Sequence, residues 1–110
     1  MTNYRPGDVV LLLYPFTNGQ GRKQRPALVL LDTGDADVVV ARITSSLTRG
    51  NFDVELAEWH RAGLLAPSVV RVHKLLTVEK GLIAERLGAL APGDWAQVRA
   101  AVQRLWQFWR

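Results

Sequence analysis

The sequence predicts a mainly β fold in which a curled antiparallel sheet is closed by a C-terminal helix. Short apolar runs, separated by turn residues, occupy most of the chain before Pro92. The segment after Pro92 instead repeats its large apolar residues at helical spacing. The 110 residues are 48% hydrophobic and 22% charged, which favours one folded domain over residues 1–110.

The first two strands are predicted on either side of a basic loop. Val9–Leu13 is continuous and apolar, which is typical of a strand buried on both faces. Residues 14–25 contain glycines, an asparagine, a proline and several basic side chains, and this composition predicts a loop. Pro26 is expected to open the second strand, Ala27–Leu31, because a ladder donor is not yet needed there.

The remaining strands follow from turn residues and β-branched runs. Residues 32–35 have turn chemistry and predict a hairpin between the second strand and Val38–Thr44. Residues 57–65 fit a helical turn or an irregular segment equally well. Further strands are expected at Phe52–Leu56, Ser68–His73 and Leu82–Leu87.

The C-terminal segment predicts an amphipathic helix. Pro92 and Gly93 mark its entry, and Asp94 falls where a carboxylate meets unpaired backbone N–H groups. We interpret the apolar stripe as the core face of the helix, although tryptophans also serve as anchors in protein interfaces. The stripe consists of Trp95, Val98, Val102, Leu105, Trp106 and Trp109.

Composition excludes several classes of function. The chain has no cysteine and two histidines, so disulfides, thiolate metal sites and most metal centres are not expected, and neither is a cofactor. It lacks an apolar run long enough to span a membrane and a secretory signal pattern, so we expect a cytoplasmic protein without a membrane partner. The net charge of +4 favours an anionic partner or simply aids solubility.

Candidate chemistry concentrates near the ends of the second and third strands. Arg25 stands where the basic loop meets a strand, and its planar guanidinium suits phosphate oxygens, although a solvated loop charge fits the same pattern. Thr44, Ser45 and Ser46 end the third strand with three hydroxyls, which bind phosphate or satisfy turn backbone. Tyr14 and Phe16 are candidates for stacking on bases or for packing.

Two other constellations are weaker. His60 and His73 are conceivable as an acid–base pair for metal-free RNA cleavage, but their spacing does not support that role. Gly19-Gln20-Gly21 lies between predicted strands rather than before a helix, so it does not indicate a nucleotide-binding loop.

Several blocks together resemble the MazF/PemK family of bacterial toxins. The resemblance covers nearly the whole chain in the family's order. Its blocks are Gly7-Asp8-Val9-Val10, Pro15-Phe16-Thr17, Arg25-Pro26-Ala27-Leu28-Val29-Leu30, Ala41-Arg42-Ile43-Thr44-Ser45 and Ser68-Val69-Val70-Arg71-Val72-His73-Lys74-Leu75.

The resemblance implies an SH3-like, partly open antiparallel β-barrel with a C-terminal helix, assembled as a homodimer. It also implies a sequence-selective endoribonuclease that cleaves single-stranded RNA to 2′,3′-cyclic phosphate and 5′-hydroxyl ends. A partner antitoxin, with an acidic and poorly ordered segment, would occupy the RNA groove. The basic balance of the chain agrees with both partners.

The family's catalytic arginine corresponds to Arg25 and its catalytic threonine to Thr44. Arg25 would stabilise the phosphorane and assist the leaving oxygen, whereas Thr44 would hold the scissile phosphate and orient the 2′-hydroxyl. The remaining residues expected to contact RNA are Tyr14, Phe16, Thr17, Asn18, Gln20, Arg22, Lys23, Gln24, Ser45, Ser46, His73 and Lys74.

The sequence departs from the family pattern at two positions. Gln20 stands where some members place a glutamate, and an amide cannot act as a general base. His73 stands where many members have an acidic residue, which leads to the hypothesis that it supplies proton transfer.

Two alternatives belong to other classes of function. The related CcdB toxins share the barrel, poison DNA gyrase and carry a functional tryptophan near the C-terminus, which invites comparison with Trp109 and Arg110. Arg25-Pro26 favours the ribonuclease over the gyrase poison. The other alternative is a barrel that binds RNA or protein without catalysis.

Overall fold

The computed structural model describes residues 2–15, 22–47 and 50–109, without the side chains of residues 14, 15 and 22. The described residues form six strands, one α-helix and two short 3₁₀ helices. The strands are β1 (Asp8–Pro15), β2 (Arg22–Leu31), β3 (Asp37–Thr44), β4 (Asp53–Glu55), β5 (Val69–Glu79) and β6 (Ile83–Ala89); the helix is α1 (Pro92–Phe108), and the 3₁₀ helices span Trp59–Ala62 and Lys80–Leu82.

The strands form one antiparallel sheet in the order β4-β5-β3-β2-β1-β6. β4 and β6 are its two edges, and no pairing joins them within the described part of the chain. The sheet is therefore a partly open barrel. The predicted fold class, a mainly β antiparallel barrel followed by a C-terminal helix, is confirmed.

Both faces of the curved sheet are apolar. One face packs against α1 and the segment before β5, and its buried residues include Leu28, Ile43 and Val70. On the other face, residues of several strands pack against each other in a second buried cluster that includes Leu12 and Val40. This arrangement follows from strands that are nearly continuous in valine and leucine, as expected for strands covered on both sides.

The loop prediction over residues 14–25 is wrong at both ends. β1 continues to Pro15, and β2 begins at Arg22, because residues 22–25 pair in register with residues 12–15. Backbone pairing with β1 overrides the polar composition of this stretch. Pro26 consequently lies inside β2, opposite Leu11, rather than at its first position.

The structure also settles the segment that the sequence left open. Residues 59–62 form a 3₁₀ helix that ends at Gly63, whose φ of 85° is left-handed. We call residues 57–68 the cover segment, because they lie over one face of the sheet. Asp94, in the first turn of α1, is buried and accepts hydrogen bonds from the backbone N–H groups of Ala57 and Glu58, both at 3.0 Å.

Glycines allow the cover segment to approach β6 closely. A Cβ on Gly63 would lie 2.3 Å from the carbonyl oxygen of Leu87, and one on Gly88 would lie 2.7 Å from that of Ala62. Both contacts are with backbone atoms, which cannot move aside like the end of a side chain. Any larger residue would therefore push the cover segment away from the sheet.

The core-face interpretation of α1 holds for its first three turns and fails at its end. Val98 and Ala101 are fully buried, whereas Trp106 is 61% exposed and Trp109 is 75% exposed. α1 packs on β4 and β5, and β4 has three residues against seventeen in the helix. The last turn lies beside Leu75 of β5, but Leu75 and the aromatic residues there border an open apolar cleft and are not buried.

Asp32, which follows β2, holds the N-terminal segment in place by a hydrogen bond from Tyr4. Its carboxylate accepts hydrogen bonds from the N–H groups of Tyr4 and Gly34 and pairs with Lys80 at 3.0 Å. These contacts, the Tyr4 N–H above all, hold the pKa of the Asp32 carboxyl below its ordinary value. No helix within the described ranges is long and apolar enough to cross a membrane.

Replacing Gly63 with alanine is expected to lower the stability of the fold strongly. The left-handed backbone and the clash with Leu87 together predict a loss of about 3 kcal/mol in the free energy of unfolding. Gly81→Ala is the matched control, because a Cβ there meets no atom within 4 Å. Thermal and urea denaturation measure both; equal midpoints for the two variants would contradict the close packing.

Candidate active site

β2 and β3 separate at Pro26, and a cleft opens between them. Their pairing runs through Leu28–Ala41 to Ala27–Arg42, and no further pair is formed. Proline has no N–H to continue a ladder, so the break falls at a residue that cannot donate. Continuing the same register two residues further would bring Arg25 level with Thr44.

The cleft has a volume of about 680 Å³, and both Arg25 and Thr44 line it. Residues 63–66 and Ser68 of the cover segment form one wall. The close packing of Gly63 on β6 and the bonds from Asp94 hold that wall in place. The apolar lining consists of Leu11, Pro26, Ile43, Leu64, Leu65, Ala66 and Leu87.

Arg25 presents its charge to this cleft from a fixed backbone. It is the fourth residue of β2, pairs with Leu12 of β1, and is exposed. Its guanidinium makes no hydrogen bond or ion pair with a described residue, so its donors remain open to an anion. Arg42, also exposed, lines the same cleft and adds a second positive charge.

Thr44 is held by its own turn. Its Oγ1 accepts a hydrogen bond of 3.1 Å from the N–H of Ser46, which is the turn role that the sequence suggested. A hydroxyl that accepts a bond keeps its hydrogen for another partner. Thr44 is therefore half-buried, oriented and still able to donate to a bound phosphate.

The structure brings some of the other predicted residues to the cleft. Gln24 and Ser45 line it beside Arg25 and Thr44. Lys23, Ser46 and Lys74 are exposed but lie outside its lining. Phe16, Thr17, Asn18 and Gln20, with the side chains of Tyr14 and Arg22, fall outside the described residues.

His73 lies in a different cluster, on β5 beside β4. Its Nδ1 is 3.9 Å from Oδ1 of Asp53, too far for a hydrogen bond, and its ring centroid is 6.1 Å from that of Phe52. Asp53 pairs with Arg71 at 2.8 Å. His60 is exposed on the 3₁₀ helix, and neither histidine lines the cleft.

Sequence reasoning missed two charged residues of the cleft, Arg42 and Glu85. Alternation along β3 places Arg42 with Thr44 on one side of that strand, and this signal was available. Glu85 reaches the cleft because β6 pairs with β1, and no local pattern indicates that pairing. Within the described lining Glu85 is the single carboxylate, and the described residues contain no cluster of three acidic or histidine side chains placed to hold a metal.

Several solved structures share this fold. An endoribonuclease from a mycobacterial species is 18% identical, with a TM-score of 0.75 over 94% of this chain and 91% of the other. An endoribonuclease in complex with its cognate antitoxin, also mycobacterial, is 20% identical, with a TM-score of 0.69 over 89% of both chains. A MazE–MazF structure from Deinococcus radiodurans is 21% identical, with a TM-score of 0.79 over 96% and 98%.

Sequence comparison gives the family. No curated protein matches the chain significantly. The family model of PemK-like, MazF-like toxins of type II toxin–antitoxin systems matches residues 5–106, which include both Arg25 and Thr44. That match spans almost the entire chain, and the chain therefore belongs to the PemK-like, MazF-like family of type II toxins.

Proposed function

We propose that the protein is a sequence-selective endoribonuclease toxin that cleaves single-stranded RNA, leaving 2′,3′-cyclic phosphate and 5′-hydroxyl ends. One observation carries the proposal: Arg25 and Thr44 line a single cleft at the point where β2 and β3 diverge. Family membership and the endoribonucleases among the similar structures support the same reaction.

Arg25 would stabilise the negative charge that develops on phosphorus when the 2′-hydroxyl attacks. Its guanidinium is open to an anion and is fixed by β1–β2 pairing, which limits reorganisation during the reaction. Arginine is a poor proton donor, so its role is electrostatic. Arg42 would add to the positive potential that draws RNA phosphates into the cleft.

Thr44 would donate a hydrogen bond to a nonbridging oxygen of the scissile phosphate. The Ser46 N–H fixes the position of Oγ1 and leaves the hydroxyl hydrogen available. That contact would orient the phosphate for in-line attack by the neighbouring 2′-oxygen. Metal independence is part of the proposal, because two-metal nucleases use several carboxylates and the described lining offers Glu85 alone.

The proposed partners are RNA and an acidic antitoxin in the cytoplasm. Both are anionic, and the net charge of +4 favours either one. One similar structure contains an endoribonuclease bound to its cognate antitoxin. By analogy, an acidic segment of an antitoxin would cover Arg25 and Arg42 and exclude RNA.

The gyrase-poisoning alternative draws on the end of α1. Trp106 and Trp109 are exposed, with ring centroids 4.9 Å apart, so both rings are accessible to a protein partner. We favour the ribonuclease because a gyrase poison has no need of a cleft that joins Arg25 to Thr44. Retained toxicity of an Arg25→Ala variant in cells would favour gyrase.

Arg25→Ala is expected to reduce RNA cleavage at least ~100-fold, since it removes the charge that stabilises the phosphorane. The assay is a time course on a long single-stranded transcript in EDTA, with product ends mapped by 5′-end sequencing. Arg99→Ala, an exposed arginine of α1 away from the cleft, is the matched control and should cleave normally. Cleavage that requires Mg²⁺, or that survives in Arg25→Ala, would contradict the mechanism.

Thr44→Val is expected to slow cleavage about 10- to 100-fold, the loss predicted for one hydrogen bond to a charged group. Thr44→Ser keeps the hydroxyl and should stay within a few-fold of the unsubstituted protein. Single-turnover rates on an oligonucleotide with the mapped site separate the two variants. If serine were as damaging as valine, the hydroxyl would not be the functional group.

We also propose that the protein is a homodimer that uses the exposed apolar surface at the end of α1. Leu75, Trp106, Phe108 and Trp109 are 50% to 75% exposed and border an apolar cleft of about 490 Å³. Clustered exposed aromatic residues of this kind are typical anchors of protein interfaces. A second copy of the chain, as the family resemblance implies, would cover it.

Trp109→Glu is expected to convert the dimer into a monomer, because it places a charge in the apolar contact. Light scattering at micromolar concentration measures the mass of the particle. Leu31→Glu, which alters a leucine 49% exposed on β2, is the matched control and should remain dimeric. A monomer for the unsubstituted protein would refute the proposed assembly.

A further inference from the structure

Glu85 is placed where cleavage of RNA requires a proton acceptor. The ribose 2′-hydroxyl must lose its proton before it becomes an effective nucleophile. Among the described residues that line the cleft, Glu85 is the single carboxylate, and the others are arginines, amides, hydroxyls and apolar side chains. His73, the other candidate for proton transfer, lies outside the lining.

The sheet sets the position of Glu85 relative to Arg25. Leu11 of β1 pairs with Pro26 on one side and with Glu85 on the other, so the three residues form one row across β2, β1 and β6. Neighbouring strands lie about 4.8 Å apart, which puts the backbones of Pro26 and Glu85 about 10 Å apart. Arg25 adjoins Pro26 in β2, and Arg25 and Glu85 both line the cleft.

Two irregularities in β6 flank Glu85. The register passes from Val9–Gly88 to Val10–Arg86, which leaves Leu87 without a partner on β1. It then passes from Leu11–Glu85 to Leu12–Ile83, which leaves Ala84 without one. Bulges re-aim side chains and occur often beside active sites. Glu85 and Arg86 are the two residues between them.

Unlike several other carboxylates, Glu85 makes no hydrogen bond or ion pair that stabilises the described part of the fold. Asp8 pairs with Arg86 at 3.1 Å, Asp53 pairs with Arg71, and Asp94 accepts two backbone N–H groups. Glu85 makes no hydrogen bond or ion pair with a described residue and is exposed to the cleft. Because Arg86 is bound to Asp8, it does not neutralise its neighbour.

We propose that Glu85 is the general base of the reaction, an inference that rests on the ribonuclease function proposed above. The 2′-hydroxyl proton passes to a carboxylate oxygen of Glu85 while the 2′-oxygen forms a bond to phosphorus. The bond from phosphorus to the 5′-oxygen breaks, and that oxygen takes a proton from water. Glu85 then returns its proton to solvent, so the enzyme is regenerated and no water is consumed in net terms.

The charges that share the cleft with Glu85 are positive. Arg25 from β2 and Arg42 from β3 line it, whereas the lining residues of the cover segment, 63–66 and Ser68, carry no titratable side chain. A general base acts in its unprotonated form, so the cleavage rate is expected to fall on the acidic side of its pH profile.

The test compares Glu85→Gln with Glu79→Gln, a matched amide substitution at an exposed glutamate at the end of β5. The substrate is an oligonucleotide that carries the site mapped with the unsubstituted protein. Single-turnover cleavage by Glu85→Gln should be about 100- to 10,000-fold slower, the usual contribution of a general base. Its affinity for the same oligonucleotide with a 2′-deoxy group at the cleavage site should be unchanged, and Glu79→Gln should behave as the unsubstituted protein.

Two further measurements identify the role. The acidic limb of the pH profile should disappear in Glu85→Gln. A substrate with sulfur in place of the 5′-oxygen has a leaving group that needs no proton, so it should rescue a variant that lacks a general acid but not Glu85→Gln. Rescue by that substrate would overturn the assignment of Glu85 as the base.

The remaining outcomes are distinct from one another. Normal cleavage by Glu85→Gln, with Arg25→Ala inactive, would overturn the role of Glu85 and leave the ribonuclease in place. A loss of affinity without a loss of single-turnover rate at saturation would make Glu85 a binding residue and also overturn the proposal. If the unsubstituted protein cleaves no RNA, the ribonuclease function itself fails, and the inference about Glu85 fails with it.

Discussion

The close approach of the cover segment to β6 is the constraint on which the cleft depends. Gly63 and Gly88 lie where backbone meets backbone, with no room for a Cβ on either side. Leu64, next to Gly63, is buried in the core, and the Asp94 carboxylate holds the start of the segment by two N–H groups. These contacts fix one wall of the cleft, while strand pairing fixes the rest. The site therefore depends on packing that contains no catalytic group.

The carboxylates of this small protein divide into two kinds. Asp8, Asp32, Asp53 and Asp94 each have a cation or backbone N–H groups as partners, and they connect elements distant in sequence. Such charge-assisted bonds stabilise the fold where the carboxylate is buried, and of these four only Asp53 keeps a buried oxygen, Oδ1, without a hydrogen bond to a described residue. Glu85 has no described partner and faces the cleft. Its place in the cleft, together with the absence of a described partner, is what distinguishes Glu85 from the other acidic residues.

Local patterns predict much of the fold. Apolar runs identified the strands from Val9–Leu13 to Val38–Thr44, because a strand covered on both faces carries its signal in its own residues. The hairpin between β2 and β3 is local as well, so sequence alone brings Arg25 and Thr44 towards each other.

The sequence-based predictions fail where the structure of a segment depends on contacts with a segment far away in the chain. Residues 22–25 are polar yet become strand, because β1 supplies their hydrogen bonds. Trp106 continues the apolar stripe of α1 but is exposed, because at this end the helix and Leu75 of β5 border an open cleft that no described element fills. Glu85 depends on the pairing of β6 with β1, which joins segments far apart in the chain. A periodicity shows which face of an element is apolar and not how far the neighbouring element reaches.

Glu85 bears on the glutamine at position 20, where some family members have a glutamate. Gln20 cannot accept the proton that a glutamate at that position would take. A base on β6 would restore that step from the other side of β1, across the row of Pro26, Leu11 and Glu85. Pairing with Leu11 holds the backbone of Glu85, and catalytic geometry tolerates errors of only about 0.5 Å. Under the proposed mechanism, the carboxylate that position 20 lacks is supplied from β6, whose pairing with β1 sets where Glu85 lies along the sheet.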